Sequence, residues 1–336
     1  MTTDEMRQRA IAQMQGVAAL NLAYVGVVRG LFDAFTDEAS VDEAAARAGV
    51  DAGYLRRWAE AAFAFEYLEE SGGRFRITEL GRAFRPGAPG TLMPMAIQAV
   101  LGAHMMERAA GLMPSGERPG ESVLAERETV LPWFGPMLEA TFAPLFAREV
   151  LPKLDIYREV DARGGLVVDL GCGNGWYLRA LAERYPAIRG LGLDGFAENA
   201  RQAKARADER GFGDRLRFDE GDLFTFAHSE PVDVIAMNRA LHHVWHDEPR
   251  VFRLIHDALR PGGAAVIWEP AWPDELGALR SPRFRPMAFQ NVSEHVQGNH
   301  FLRPDEIEAA FARVGMRAET FRFAEGSEAV VVGRRP

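Results

Sequence analysis

Acidic side chains and a glycine-rich run have the types and spacing of a site for a nucleoside-containing ligand. Gly171, Gly173 and Gly175 follow Asp169, which ends the apolar run LVVDL, and they open a helical pattern. Glycines at such a junction let the backbone approach a ligand at the N-terminus of the helix. Asp194 ends the next strand pattern, GLGLD, nineteen residues after Gly175. An acid at that place can accept hydrogen bonds from both hydroxyls of a ribose.

Histidines form the second group of reactive side chains. His242 and His243 lie in the segment ALHHVWHDE, directly after the strand pattern VDVIAMN. A histidine there can take a proton from a hydroxyl, because its pKa lies near neutral pH. His295 lies in the segment RFRPMAFQNVSEHVQGNHF, with His300 five residues later. Imidazole side chains can act as bases and can also bind transition metals.

These residues lie where short apolar strands alternate with helical patterns. From Leu166 onward the strand patterns are LVVDL, GLGLD, LRFDEGDLF, VDVIAMN and AAVIWEP, and the chain ends in a hairpin pattern, FRFAEGSEAVVVG. Such alternation predicts a parallel sheet with crossover helices, whose ligand binds at the carboxyl ends of the strands. The expected fold class is therefore α/β.

Residues 1–150 are predicted to form a separate, mostly helical domain before the α/β domain of residues 151–336, because the chain exceeds the usual size of one core. Ser40 and Glu43 form a capping box, a second helix follows, and Gly72-Gly73 turns into a short strand pair. This order resembles a winged-helix module. Apolar positions at helical spacing in this domain are expected to make a homodimer and to cap a substrate pocket.

Composition argues against several classes of partner. The net charge is −9 and the pI is near 5.5, whereas nucleic-acid binding depends on an excess of positive charge. Cys172 is the only cysteine, so an internal disulfide and a thiolate metal cluster are excluded. The N-terminal sequence lacks the apolar region of a secretory signal, and no apolar run reaches the roughly 18 residues of a membrane span. We expect a cytoplasmic protein that binds small molecules, and neither nucleic acid nor a membrane.

The glycine-rich run with its preceding acid, together with ALRPGG before AAVIWEP, resembles the motifs of class I methyltransferases, which use S-adenosylmethionine (SAM). The resemblance implies a Rossmann-like, seven-stranded sheet. It also implies that Asp169 supports the amino end of SAM, Asp194 its ribose and Asp222 its adenine amine. The cofactor contacts expected on this basis are Asp169, Gly171, Gly173, Gly175, Asp194, Gly195, Asp222, Leu223 and Asn238.

The segment that carries His243 is similar to the corresponding segment of natural-product O-methyltransferases. In those enzymes a histidine takes the proton of a hydroxyl while the oxygen attacks the methyl group. On that alignment His243 is the general base, and the winged-helix-like domain agrees with the same family. One departure is Val244, which stands where those enzymes usually carry an acid.

A second resemblance is to metal-dependent methyltransferases that methylate the β-carbon of 2-oxo acids for nonribosomal peptides. It implies a divalent or trivalent iron, zinc or cobalt ion held by His243 and His295, with Arg127 as the anchor for the substrate carboxylate. The metal would stabilise the enolate that forms when a β-proton leaves. A metal-bound water is one candidate base, and His242 is another. Three further side chains are alternative or additional ligands: His300, Asp247 and Glu294.

The favoured hypothesis from the sequence is therefore a metal-assisted C-methyltransferase that acts on a 2-oxo acid. The alternative is a metal-free O-methyltransferase of small molecules with His243 as general base. A third hypothesis, from another class, is a winged-helix regulator that only senses SAM. The third is disfavoured by charge, because residues 41–85 hold seven arginines and eight acids.

Overall fold

The structure is a computed structural model that describes residues 1–126 and 129–336. Arg127, the expected anchor for a substrate carboxylate, lies outside the described residues. The chain folds into two compact units, of which the first comprises Met1–Glu107 and Leu124–Ala140 and the second Arg108–Val123 and Thr141–Pro336. Residues 108–123 and 141–150, which were predicted to lie in the first domain, belong to the second unit by their contacts.

The first unit is built from helices and one hairpin. In chain order the elements up to residue 145 are α1 (Thr3–Val28), α2 (Leu31–Ala34), α3 (Val41–Ala48), α4 (Ala52–Ala64), β1 (Leu68–Ser71), β2 (Arg74–Ile77), α5 (Glu79–Ala83), α6 (Met93–Leu112), α7 (Ser122–Ala125) and α8 (Leu131–Leu145). Ser40 caps α3 by accepting a hydrogen bond from the N–H of Glu43, and Asp51 caps α4 in the same way. The order helix, helix, antiparallel hairpin is the order of elements that the sequence predicts for this part of the chain.

Helix α1 has apolar side chains that are exposed along most of its length. Met6, Ile11, Met14 and Val17 are among them. By length and composition this helix is also apolar enough to cross a membrane, a test that the core helices of soluble proteins and signal sequences pass as well. The absence of membrane contact, the cytoplasmic location and dimerisation through these helices therefore stay predictions.

The second unit is built on a seven-stranded sheet. After residue 150 the elements are α9 (Ile156–Asp161), β3 (Leu166–Leu170), α10 (Trp176–Arg184), β4 (Arg189–Asp194), α11 (Ala197–Glu209), β5 (Leu216–Glu220), β6 (Val232–Asn238), α12 (Glu248–Ala258), β7 (Leu259–Pro270), α13 (Arg285–Val296), α14 (Pro304–Arg313), β8 (Arg317–Phe323) and β9 (Glu328–Arg334). The strand order is β5-β4-β3-β6-β7-β9-β8. Strand β9 runs antiparallel to β7 and β8, and the other neighbours are parallel. This topology confirms the expected Rossmann-like methyltransferase fold.

The central strands of this sheet are buried on both faces, as parallel strands covered by helices must be. All of β3 is buried, and Ile235 of β6 and Ile267 of β7 pack in one core with Phe252 of α12 and Phe311 of α14. Strands β3 and β6 are neighbours in the sheet although β4 and β5 lie between them in sequence. Such a switch in strand order opens a crevice at the carboxyl ends of the strands, where open α/β sheets bind their ligands.

Candidate functional site

The loop between β3 and α10 has a backbone that glycine adopts most readily. Gly171 and Gly173 have φ angles of +77° and +52°, which L side chains rarely adopt. A Cβ atom at Gly171 would lie 2.6 Å from the Cβ atom of Ala240, whereas one at Gly173 would meet no heavy atom within 4 Å. Gly171 thus lets the loop pass close to the segment after β6, and Gly173 borders open space where a ligand can approach the backbone.

Asp194, at the end of β4, holds this loop in place. Its Oδ2 atom accepts a hydrogen bond from the N–H of Gly173 at 2.8 Å, and its Oδ1 atom accepts from Phe196 and Asn199. Because each carboxylate oxygen has two lone pairs, Oδ2 keeps one for a ligand hydroxyl. Gly195 follows directly and is exposed. This geometry fits the expected contact with a ribose.

Asp169 and Asn238 form a polar pair at the ends of β3 and β6. The Nδ2 atom of Asn238 donates to Oδ1 of Asp169 at 2.9 Å. Burial raises the pKa of Asp169 to about 7, although this hydrogen bond acts in the opposite direction. Within the described residues, the buried Oδ1 atom of Asn238 has no hydrogen-bond partner. An ammonium group would satisfy this oxygen and stabilise the carboxylate, so the pair fits the amino end of SAM.

Asp222 begins a short 3-10 turn, Leu223–Thr225, after β5. Its Oδ1 atom accepts a hydrogen bond from the N–H of Phe224 at 2.9 Å, and the residue is exposed. The three acids expected to bind SAM therefore stand at the carboxyl ends of β3, β4 and β5, which are neighbours in the sheet. Their donor and acceptor properties fit an amine, a ribose and an adenine in that order.

His242 lies in the turn after β6 and is held there by Glu269 at the end of β7. The Oε1 atom of Glu269 accepts hydrogen bonds from the N–H groups of Leu241 and His242, and its Oε2 atom is 2.7 Å from Nδ1 of His242. Burial by itself lowers the pKa of His242, but the charges of Glu269 and Glu294 outweigh it and raise the pKa to about 10. At neutral pH both ring nitrogens therefore carry protons, and an imidazolium has no lone pair with which to accept another.

His243 is the next residue in this turn, and its ring is partly exposed. The ring centroids of His242 and His243 are 4.2 Å apart. The Nδ1 atom of His243 is 2.7 Å from Oε1 of Glu121 and 2.9 Å from Nδ2 of Asn299. The hydrogen bond with His243 lowers the pKa of Glu121 and outweighs the opposite effect of burial. Within residues 1–126 and 129–336, the Nε2 atom of His243 makes no hydrogen bond.

Arg239 connects β6 to this turn with an unusual backbone conformation. Its φ angle is +57°, which costs a non-glycine residue on the order of 1–2 kcal/mol. The guanidinium donates to the carboxylate of Glu328 at 2.9 Å and lies 4.4 Å from the ring centroid of Phe142. These contacts stabilise the conformation that directs the chain from the sheet into the histidine turn.

His242, His243 and Glu294 are the described residues that could hold a metal ion together. Each offers one ligand atom, and the three atoms lie within 4.8 Å of one another. Two histidines and one carboxylate form a ligand set that binds iron in many proteins. The contact between Glu269 and Nδ1 of His242 is also of the kind that orients a metal-binding imidazole.

His295 does not belong to this group. Its side chain is exposed on α13, whereas the preceding residue, Glu294, lies 3.6 Å from Nε2 of His242. Because successive residues of an α-helix point about 100° apart, the helix turns only one of these two side chains toward the histidines. His300 is exposed as well. The ligand set that the structure offers therefore contains Glu294 in the place expected for His295.

Three residues of the site were not expected from the sequence: Glu121, Glu269 and Asn299. Glu269 lies near the end of the buried strand pattern AAVIWEP, at the same edge of the sheet as Asp169. An acid at the carboxyl end of a parallel strand is a feature from which this site residue could have been predicted. Glu121 and Asn299 lie in loops far from His243 in sequence. No local pattern connects them to it.

Comparisons with known proteins agree with the geometry of the cofactor side. Residues 167–263 match the family model described as a methyltransferase domain. The O-demethylpuromycin-O-methyltransferase of Streptomyces alboniger is 29% identical over 264 residues, which cover 74% of this chain and 67% of that protein. The phenazine O-methyltransferase PhzM of Lysobacter antibioticus is 28% identical over 262 residues, or 75% of each chain.

A solved structure shows the same fold over the whole chain. It is that of an O-methyltransferase family protein from Burkholderia thailandensis, with a TM-score of 0.73 and 21% sequence identity. The match covers 100% of this chain and 98% of the other. The shared fold therefore includes the N-terminal helical region as well as the seven-stranded sheet.

The hypothesis favoured from the sequence, methylation of the β-carbon of a 2-oxo acid, is wrong. The two relatives that align over 67% and 75% of their lengths are O-methyltransferases. That hypothesis also depended on His295 as a metal ligand, and the side chain of His295 is exposed, outside the group of His242, His243 and Glu294. The relatives favour the alternative, in which oxygen accepts the methyl group.

Proposed function

This chain is a SAM-dependent methyltransferase with the class I fold, and we propose that it transfers the methyl group to a hydroxyl oxygen of a small molecule. We propose His243 as the general base. The observation that carries this proposal is the arrangement of the His243 ring. Its Nδ1 atom contacts Glu121 and Asn299, and 28% of the side chain is exposed. Its Nε2 atom has no hydrogen-bond partner in the part of the chain that the structure describes, so it can accept one from a ligand.

Each residue of the site has a separate role in the proposed reaction. SAM, when bound, supplies a methyl group on a positively charged sulfur. Asp169 and Asp194 hold the cofactor at the strand ends, and Gly171 keeps the cofactor loop beside the turn that carries His243. The Nε2 atom of His243 accepts the proton of the hydroxyl as its oxygen becomes the nucleophile. A positioned general base of this kind contributes about 10²–10⁴-fold to a rate.

The names of the relatives support hydroxylated aromatic compounds as the acceptor class. One relative is named for O-demethylpuromycin and the other for phenazine. A hydroxyl on an aromatic ring has a pKa of about 10, as in tyrosine. It therefore loses its proton to an imidazole more readily than an aliphatic alcohol does.

We also propose that the N-terminal helices make a homodimer. The exposed apolar side chains of α1 support the dimer, because a second copy would remove them from water. Light scattering of the wild type and of a Met14→Glu variant tests this part. A dimer that dissociates in the variant supports it, and a monomeric wild type contradicts it.

A second candidate function for the same turn includes a bound metal ion. His243, Glu294 and, once its Nε2 atom has released its proton, His242 would supply the ligand atoms. An iron, zinc or cobalt ion bound there would act as a Lewis acid toward the acceptor oxygen. Metal analysis of the purified protein tests this candidate. About one ion per chain in the wild type, lost in Glu294→Ala, supports it. Full methylation by chelator-treated, metal-free protein contradicts it.

The main proposal is tested with purified wild type, His243→Ala and His256→Ala, assayed with SAM and a panel of phenols and hydroxylated heteroaromatic compounds. His256 lies on α12, bonded to Asp257, and controls for the loss of one histidine. We expect a methyl ether from the wild type and from His256→Ala. In His243→Ala we expect kcat to fall about 10²–10⁴-fold with SAM affinity retained. Methylation at carbon or nitrogen, or an unimpaired His243→Ala, would overturn the proposal.

A further inference from the structure

We infer that Glu121 and Asn299 compete for the Nδ1 atom of His243, and that Glu121 determines which ring nitrogen carries the proton. In the state that Glu121 favours, Nδ1 carries the proton and Nε2 is free to accept another. This inference rests on the proposed function of His243 as the base. It makes Glu121 a positioning residue for that base.

Both side chains reach the same ring atom from separate parts of the chain. Oε1 of Glu121 lies 2.7 Å, and Nδ2 of Asn299 lies 2.9 Å, from Nδ1 of His243. Glu121 comes directly before α7, in the segment Arg108–Val123 of the second unit. Asn299 follows α13, its side chain is buried, and its N–H donates to the carbonyl oxygen of Glu294 at 2.9 Å.

With the Nδ2 atom of Asn299 facing the ring, one ring nitrogen cannot satisfy both neighbours in the same protonation state. A carboxylate only accepts hydrogen bonds, and an amide NH₂ group only donates them. If Nδ1 carries the proton, it donates to Glu121, and the lone pair of the neutral ring is on Nε2. If Nδ1 carries none, it accepts from Asn299, and Nε2 is protonated and cannot act as a base. The choice of partner is therefore a choice of tautomer.

Charge favours the state in which Glu121 is the partner. A hydrogen bond to an ionised carboxylate is roughly twice as strong as one between neutral groups. Among the described residues, His242 and Glu294 are charged groups that also lie beside the His243 ring, and they face each other at 3.6 Å. Val244, the next residue of the turn, offers no polar side chain to the ring. Glu121 supplies a carboxylate to it from a distant part of the sequence.

The tautomer of His243 can be measured without any methyl acceptor. The experiment is ¹⁵N NMR of the full-length protein with labelled histidine, in which His243→Ala assigns the signals. In the wild type we expect the proton on Nδ1. Glu121→Gln keeps the shape of the side chain but removes its charge, and we expect the proton to move toward Nε2. Glu117→Gln removes the same charge from an exposed residue of the same segment and should leave the tautomer unchanged.

A second substitution should reverse the effect. Asn299→Asp in the Glu121→Gln background places a carboxylate on the other neighbour of Nδ1, so we expect the proton to return to Nδ1. In the methyl-transfer assay, Glu121→Gln should lower kcat, by at most the roughly 10²–10⁴-fold that a general base contributes, with an unchanged KM for SAM. The double variant should recover part of this loss.

These measurements test the inference about the His243 tautomer separately from the proposed methylation of a hydroxyl. A wild type protonated on Nε2, or a tautomer unchanged by Glu121→Gln, overturns the inference. If the NMR results are as expected but no hydroxyl compound is methylated, the inference about the ring stands and the proposed acceptor chemistry fails.

Discussion

The carboxylate of Glu269 binds the side chain and the backbone of His242 at the same time. Oε2 lies 2.7 Å from Nδ1 of the ring, and Oε1 accepts the N–H groups of Leu241 and His242 at 2.8 and 3.3 Å. Both side chains are almost completely buried. Because the same turn carries His243, Glu269 connects the end of β7 to the proposed base.

Removal of the Glu269 carboxylate should destabilise the turn that carries His242 and His243. We expect Glu269→Ala to lower the free energy of unfolding by about 3 kcal/mol, because the buried imidazolium of His242 loses the nearer of its two carboxylate partners. We expect kcat to fall as well. Glu269→Gln keeps an oxygen for the backbone N–H groups and should retain more of the stability. Urea denaturation measures both, and Glu275→Ala in an exposed loop should stay within about 0.5 kcal/mol of the wild type. A Glu269→Ala variant as stable as the wild type would contradict this role.

Alanine substitutions at Gly173 and at Gly49 can distinguish an effect on the backbone from an effect on cofactor binding. Gly173 and Gly49 both have positive φ angles, and a Cβ atom at either would meet no heavy atom within 4 Å. Alanine at each position should therefore cost about 1–2 kcal/mol of stability. Only Gly173→Ala should also weaken SAM binding, because only that Cβ atom would enter the cofactor site. Equal SAM affinity in the two variants, measured by calorimetry, would place the cofactor elsewhere.

The affinity for SAM should fall as the pH drops below about 7. Burial raises the pKa of Asp169 to about 7, and only the ionised carboxyl attracts an ammonium group. Below this pKa the ionised fraction drops about tenfold per pH unit, so the Kd should rise by up to the same factor. Calorimetric titration measures the change, and Asp169→Asn should bind SAM weakly with little dependence on pH. A wild-type Kd that is the same on both sides of neutral pH would contradict the contact.

Asp233 should stabilise the second unit except in acid. Its carboxylate accepts hydrogen bonds from Arg163, Arg260 and the N–H of Leu166. Burial raises its pKa, but these donors outweigh burial and lower the pKa below the ordinary value of 3.8. The contribution to stability is therefore present above pH 3.8 and is lost as the pH falls through the lower folded-state pKa.

The corresponding variant is Asp233→Asn. We expect it to lower the free energy of unfolding by about 2–4 kcal/mol at neutral pH, and the difference from the wild type should shrink below about pH 4. Asp155→Asn breaks an exposed pair with Arg158 and should cost no more than about 1 kcal/mol. Denaturation curves across this pH range measure both variants. A difference that persists unchanged in acid would show that the charge of Asp233 is not the cause.

The cofactor side of the site could be predicted from the sequence because its signals are local. Asp169, Asp194 and Asp222 each follow a strand pattern directly, and parallel strands bring their carboxyl ends to one edge whatever the rest of the chain does. The glycine-rich run carries its own conformational requirement in its residue types. The sequence alone therefore determined the sheet, the cofactor and the residues expected to bind it.

Only the tertiary structure decided what surrounds the histidines. Glu294 and His295 are adjacent in sequence, and the orientation of α13 about its own axis, which tertiary packing sets, turns Glu294 and not His295 toward His242. Glu121 meets His243 because the segment Arg108–Val123 packs with the second unit, a contact between residues far apart in the chain. Such contacts depend on how loops pack on a finished sheet, and local residue patterns hold no information about that packing.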